Sequence, residues 1–245
     1  MARYRRHFIN QLIDNQLIDV LPWAVPKSSS PETEWTRPIL HPEDEHGKRR
    51  LALLEAAYDI IATAGFEGLR TRGVAERVGV NIATLHYYFP SKQQLIEGLS
   101  MLIGAKFVTL HGPAPTPSGL AALDNLRQEF ADGCFYLSHH PDLLLVLQEF
   151  GLRGKRDPQV QKVVDQMNRH WQTNVENIVR QGMAERTFRS DLTFDEVLSF
   201  LMAILRATAF FDADQVAVLQ RQTESWILSE KAMRQLKKKS GARRK

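Results

Sequence analysis

The chain predicts an all-α protein: an N-terminal three-helix helix-turn-helix domain followed by a larger helical domain. Three observations predict it. Apolar residues recur at three- and four-residue spacing over most of the 245 residues, and no stretch alternates as a strand would. Helix-starting residues and Gly or Pro breaks cut that pattern into segments of helical length. The run Thr71–Lys92, TRGVAERVGVNIATLHYYFPSK, sets two short helical patterns around Gly79.

Residues 1–46 read as an N-terminal extension and linker. Residues 8–21 (FINQLIDNQLIDVL) carry apolar side chains at helical spacing, and Pro22, Pro26, Pro31, Pro38 and Pro42 follow. Arg3, Arg5 and Arg6 suit either an arm reaching phosphates or a minor groove, or a solvated tail. The helix-turn-helix domain is expected over 47–107. Its first helix runs from about Lys48 to Ala64, with Leu51, Leu54, Tyr58 and Ile61 as the buried stripe and Gly65 as the stop. Phe66 and Leu69 then plug the core. Lys48, Arg49 and Arg50 fall in the first turn, where cations oppose the helix dipole. Either a nearby phosphate or plain solvation compensates.

Thr71 is expected to cap the second helix, which carries Val74, Ala75 and Val78 on one side. Gly73 inside it weakens the helix by roughly 1 kcal/mol relative to alanine. Gly79 supplies the left-handed residue that ends it. Asn81 caps the third helix, where Leu85 and Phe89 sit four apart and face inward, and Pro90 stops it. Ser91–Gln94 forms a capping box that opens a fourth helix, ending near His111.

The outer face of the third helix is unusual. Asn81, Ile82, Thr84, His86, Tyr87 and Tyr88 are hydrogen-bonding or flat groups, not the Lys/Glu mix of an ordinary solvated helix. Three consecutive rings cannot all be buried on one helix, and an outward ring calls for a partner. Hydroxyl and imidazole groups can donate to phosphate, and short side chains can reach base edges. A small helical core with a surface aromatic cluster is the plainer alternative.

Lys48–Phe107 resembles the DNA-binding domain of the TetR (tetracycline-repressor) family of transcriptional regulators. The likeness is carried by ALLEAAYDIIATAGFEGLRTRGVAERVGV and TLHYYFPSKQQL, which cover about a quarter of the chain. Ile82 stands where that family often has Lys or Pro, and His86 where it usually has an aromatic. These departures bear on base contacts, not on the fold. The resemblance implies that Thr71 and Arg72 anchor phosphate or a base edge. It implies that Ile82, Ala83 and Thr84 face the bases beside the Asn81 cap, and that His86, Tyr87, Tyr88 and Lys92 hold the backbone or groove edge.

The break Gly112–Pro117 leads into a second helical domain, expected over 112–236. Ser118 caps a helix with Leu123, Leu126, Phe130, Cys134 and Leu137. Pro141 starts a short apolar helix. Asp157-Pro158 opens a long one with Val160, Val164, Met167, Trp171, Val175 and Ile178. Thr193–Glu196 is a second capping box. A single last helix is expected from about Asp214 to Leu236, followed by a basic tail over 237–245.

By resemblance this is the ligand-binding and dimerisation domain. Leu198, Leu201, Met202, Leu205, Leu219, Trp226 and Ile227 form stripes wide enough to seek a second subunit. Phe130, Cys134, Leu147, Phe150, Met167 and Trp171, with Asn168 as a polar handle, are candidates to line an effector pocket for an apolar or aromatic molecule. Core packing is the competing account of the same residues. The implied protein is a homodimeric repressor on a palindromic double-stranded DNA operator, released by an unknown small-molecule effector. An activator, or a regulator without effector, has the same fold.

The net charge of +4 is not itself evidence for DNA, because eight Lys or Arg lie from Lys231 onward, with no acid among them. A single cysteine excludes an intramolecular disulfide and a Cys-based zinc site, and suits a cytoplasmic protein. No apolar run approaches the ~18 residues of a membrane helix. No Ser/His/Asp set, phosphate loop or carboxylate pair suggests an enzyme, and neither metal nor cofactor is expected. His139, His140 and His170 lack chelating spacing. A protein-interaction module using the same aromatic face is the remaining alternative.

Overall fold

The structure is a computed structural model and describes residues 36–242. The described residues form helices α1 (Arg37–Leu40), α2 (Glu45–Gly68), α3 (Thr71–Val78), α4 (Ile82–Tyr88), α5 (Lys92–Thr109), α6 (Ala121–His139), α7 (Pro141–Gly154), α8 (Pro158–Ala184), α9 (Phe194–Ala207), α10 (Ala213–Ile227) and α11 (Glu230–Ala242). No strand is present among them, only an isolated antiparallel bridge between Phe188 and Leu228. The helix expected over 8–21, the arginines at 3, 5 and 6, and the last residues of the basic tail lie outside the described residues. Two compact units divide the chain: residues to Thr109 with Val146–Met167, and Leu110–Leu145 with the residues from Asn168 onward. The first unit therefore takes in a segment expected to belong to the second domain.

In the first unit α2 starts earlier than the sequence suggests. Asp44 caps it, accepting the Gly47 N–H at 2.7 Å, and Glu45 occupies the first turn and pairs with Lys48 at 2.8 Å. The basic run is therefore past the positions where it would oppose the dipole. Residues 36–40, expected as linker, contribute a fully buried Thr36 and α1, which packs on α2 and α5. Gly65 breaks α2 with φ +69, after which Phe66 and Leu69 enter the core as expected.

The cap of α3 is Arg70 and makes no side-chain hydrogen bond, so Thr71 is the first helical residue rather than the cap. Gly79, at φ +72 and ψ +32, ends α3 as expected. Asn81 caps α4 by accepting the Thr84 N–H at 2.7 Å. Ser91 accepts from Gln94 N–H at 3.2 Å, one half of the anticipated box. Leu53, Ile61, Leu69, Val74, Leu85, Phe89, Leu95, Leu99, Leu102 and Ile103 are fully buried. Each such side chain contributes about 1.5–3 kcal/mol relative to exposure.

In the second unit Ser118 does not cap α6. Asp124 reaches back instead, accepting the Ser118 and Gly119 N–H groups at 2.7 and 3.3 Å. Thr193 and Glu196 make both halves of their capping box on α9, and Asp212 with Gln215 make another on α10. The single last helix expected over 214–236 is two helices. At the break, Arg189 N–H donates to Ile227 O and Ser229 N–H to Thr187 O, at 2.8 and 2.9 Å. These contacts with the segment after α8 draw Leu228 into an extended conformation, and a helix cannot continue through it. Leu123, Leu126, Phe130, Val175, Val179, Phe188, Val197, Leu201 and Val216 lie in this unit's core.

Candidate nucleic-acid interface

The two-helix motif is held from below. Val74 and Ala75 of α3 and Leu85 of α4 are buried, and Phe89 follows them into the core. Helix α4 is only seven residues long, too short to persist alone in water, so its pose depends on this packing. Its C-terminal end is fixed by α2. Arg50 donates from Nη1 to the Tyr88 carbonyl at 3.1 Å, and its guanidinium lies 4.3 Å over the Phe89 ring.

The opposite face of α4 is open. Asn81, Ile82, Ala83, His86 and Tyr87 are exposed, and Tyr87 retains 72% of its surface. Thr84 and Tyr88 are half-buried at the edge. The Thr84 hydroxyl donates to Asn81 Oδ1 at 2.9 Å, leaving its oxygen to act as an acceptor. Arg72 is exposed and pairs with Glu76 at 3.4 Å. A pair so solvated is worth little, so its guanidinium is readily redirected to an anion. Lys92 donates from Nζ to the Leu69 carbonyl at 2.7 Å. Burial, with Arg153 nearby, holds its ammonium below the ordinary lysine range.

The candidate pocket residues are distributed otherwise than expected. Phe150 is fully buried in the first unit, edge-on to Phe66 with centroids 5.2 Å apart, and Leu147 and Met167 fall in that same unit. Phe130 is fully buried in the second unit's core. Phe150 and Phe130 are packed as core residues, with close-packed neighbours covering their surfaces. Cys134, Asn168 and Trp171 are partly buried in the second unit. Asn168 accepts from Arg206 at 3.3 Å, and Trp171 Nε1 donates to Glu129 at 3.3 Å. Burial pushes the Cys134 thiol up, away from a reactive thiolate.

Among the candidate dimer residues, Leu201, Met202, Leu205 and Ile227 are core residues of the second unit. Within one chain they already pack against core neighbours. Leu198, Leu219 and Trp226 are partly buried, and Trp226 lies 4.2 Å from the Phe200 ring. Exposed apolar side chains in this stretch are instead Phe210, Phe211 and Val218. The adjacent Phe210-Phe211 pair before an acidic cap was the available signal. Among the described residues no group of three or more His, Cys, Asp or Glu could hold a metal ion. No described helix is long and apolar enough to cross a membrane.

A short helix with a polar, aromatic outer face, seated by a glycine turn on a three-helix core, has the geometry of a helix-turn-helix. Residues 53–99 match the bacterial regulatory proteins of the tetR family. The chain is 24% identical over 157 residues to the transcriptional repressor KstR2 of Mycobacterium tuberculosis, covering 62% of this chain and 76% of that protein. Its fold is similar to Salmonella enterica GusR, at a TM-score of 0.60 and 17% identity over 75% of this chain and 95% of the other. A TetR transcription regulator from Haloarcula marismortui matches at a TM-score of 0.57 and 18% identity, over 74% and 99% of the two chains. Residues 53–99 are thus similar to the DNA-binding domain of the TetR family, and the relatives reported above are transcriptional regulators of that kind.

Proposed function

We propose that the protein is a homodimeric transcriptional repressor, cytoplasmic, that occupies a palindromic operator and leaves it when a small apolar or aromatic molecule binds the second unit. The observation that carries the DNA reading is the outer face of α4, with Tyr87 open to solvent between buried Leu85 and Phe89, each two positions away. In this reading Thr71 and Arg72 meet phosphate or a base edge at the start of α3. Ile82, Ala83 and Thr84 face the bases beside Asn81. Ile82 suits a thymine methyl, and the Thr84 oxygen suits an amino group of adenine or cytosine. His86, Tyr87 and Tyr88 follow the groove edge. Lys92, still holding Leu69 O, has further N–H donors for a phosphate.

The repressor assignment is supported by the similarity to KstR2, itself a transcriptional repressor. Dimerisation is supported by Phe210, Phe211 and Val218, whose apolar surface is open in one chain. A two-fold pair would set two α4 helices about one DNA turn apart, roughly 34 Å. An effector shifts such a system only by its differential affinity for the two states. A ~100-fold loss of operator affinity requires about 2.7 kcal/mol of coupling. The full burial of Phe130 favours a second reading, an effector-independent regulator of the same fold, activator or repressor.

The test is affinity for the DNA upstream of its own coding region and for duplexes selected from a random pool, at two salt concentrations, with wild type and Tyr87→Ala. The expected result is salt-sensitive, sequence-selective binding that the substitution weakens at least about tenfold. Failure of the wild type to prefer any duplex over the pool sinks the proposal.

A further inference from the structure

We infer that His46 is a positioning residue of the DNA-reading surface: from the first turn of α2 its imidazole closes a three-ring cluster with Tyr87 and Tyr88 and sets the pose of the Tyr87 ring. This rests on the reading of α4 as the helix that meets DNA.

The geometry is a closed triangle. His46 lies 4.7 Å from the Tyr88 ring at 43° and 5.9 Å from the Tyr87 ring at 77°. Tyr87 and Tyr88 meet edge to face at 5.2 Å and 89°. T-shaped and tilted contacts at these distances are the favoured aromatic arrangements. Tyr87 is otherwise unconstrained, at the end of a seven-residue helix with most of its surface in water. An exposed side chain of that kind loses rotamer freedom when it binds, and a neighbour that restricts it beforehand reduces that loss.

His46 is itself well placed to do this. Asp44 fixes the turn it occupies by capping Gly47 N–H. Four residues on, on the same face of α2, Arg50 holds the Tyr88 carbonyl and covers Phe89. His46 and Arg50 thus grip successive parts of the end of α4, one by ring contact and one by hydrogen bond. His46 is exposed, so the fold does not require it for core volume.

The experiment measures affinity for the tightest duplex recovered by wild type from a random pool, at two salt concentrations. The variants are His46→Ala, His46→Phe, Tyr87→Ala and the double His46→Ala/Tyr87→Ala, each checked by thermal melting. His46→Ala should weaken binding about 3- to 10-fold, the range expected of one aromatic contact. Its melting temperature and salt slope should be unchanged. His46→Phe should bind within about twofold of wild type, because a ring is restored. The double variant should bind no more weakly than Tyr87→Ala alone, since His46 acts through that ring. The inference is overturned if His46→Ala binds like wild type while Tyr87→Ala does not, in which case the α4 reading stands. It is also overturned if the two losses add, or if the salt slope falls by about one, because His46 would then contact DNA itself. If Tyr87→Ala binds like wild type, the α4 reading fails and this inference with it.

Discussion

The carboxylate of Glu149 accepts a hydrogen bond from the Phe66 backbone N–H at 2.8 Å, across the break that Gly65 makes in α2. The break frees that N–H from its helical partner, and a residue of α7 far along the chain takes it up. Beside it Phe150 packs on Phe66, and Arg153 bridges Glu67 and Asp157 at 2.9 and 3.0 Å. Glu149→Ala should destabilise the protein by about 1–3 kcal/mol, the effect of leaving a buried donor unpaired. Glu149→Gln, whose amide oxygen can still accept, should retain most of the stability. Urea unfolding measures both, and amide exchange at Phe66 should accelerate only in the alanine variant.

Two glycines of the first unit should respond oppositely to alanine. Gly65 has φ +69, and a Cβ there would come 3.2 Å from Glu149 Oε2. Gly65→Ala should therefore cost more than about 1 kcal/mol. Gly73 lies inside α3 without positive φ, and a Cβ there meets nothing within 4 Å. Gly73→Ala should add about 0.5–1 kcal/mol. Thermal unfolding of the pair decides, and a destabilised Gly73→Ala would contradict the regular helix at that position.

Near the end of α8 a Cβ on Gly182 would collide with the Phe188 ring. Gly182→Ala should destabilise by about 1–3 kcal/mol through overpacking. Phe188→Leu removes the colliding ring edge, so the double variant should be less unstable than the sum of the two single changes. Additive effects in denaturant unfolding would show that the two positions do not share this space.

The α9 cap has a pH signature. The Thr193 backbone N–H, and then its hydroxyl, hold the Glu196 carboxyl below the ordinary glutamate value of 4.5. A carboxyl lowered in the folded state contributes stability that is full above its unfolded value and lost as pH falls through the folded one. Wild type should therefore lose stability below about pH 4.5 more steeply than Glu196→Gln. Parallel acid-unfolding curves would remove the cap from the account.

Phe210 at 74% exposure and Val218 at 41% are the apolar surface that a second subunit would cover. Val218→Asp and Phe210→Asp should shift the sedimentation coefficient to that of one chain and weaken operator binding, because two half-sites need two linked α4 helices. Leu201→Asp should instead unfold the second unit, as its side chain is fully buried there. A protein that sediments as a dimer with both surface changes in place uses some other face.

How much was legible in the sequence depends on the range of the interaction. The left-handed Gly79, the Asn81 cap and the Thr193–Glu196 box were readable because each is completed within a few residues. The outward face of α4 was readable because Leu85 and Phe89 declare its inward one. The break at Leu228 was not, since its partners are Phe188 and Thr187, some forty positions earlier. Thr71 was misread as a cap because a threonine before an apolar run suits either the cap or the first turn. An aromatic at helical spacing such as Phe150 does not say which core it fills, and its neighbour is Phe66.

The sequence by itself determined the helices from α2 to α9, the helix-turn-helix and the side chains that α4 holds out to solvent. These follow from backbone hydrogen bonding and from which side of a two-turn helix is apolar. Only the tertiary structure decided that Leu201, Met202, Leu205 and Ile227 are core while Phe210 and Val218 are surface. It alone joined Glu149 to Phe66, and His46 to Tyr87 and Tyr88. An apolar stripe or an exposed ring states a need for a partner, and the partner is chosen by contacts between residues far apart in the chain.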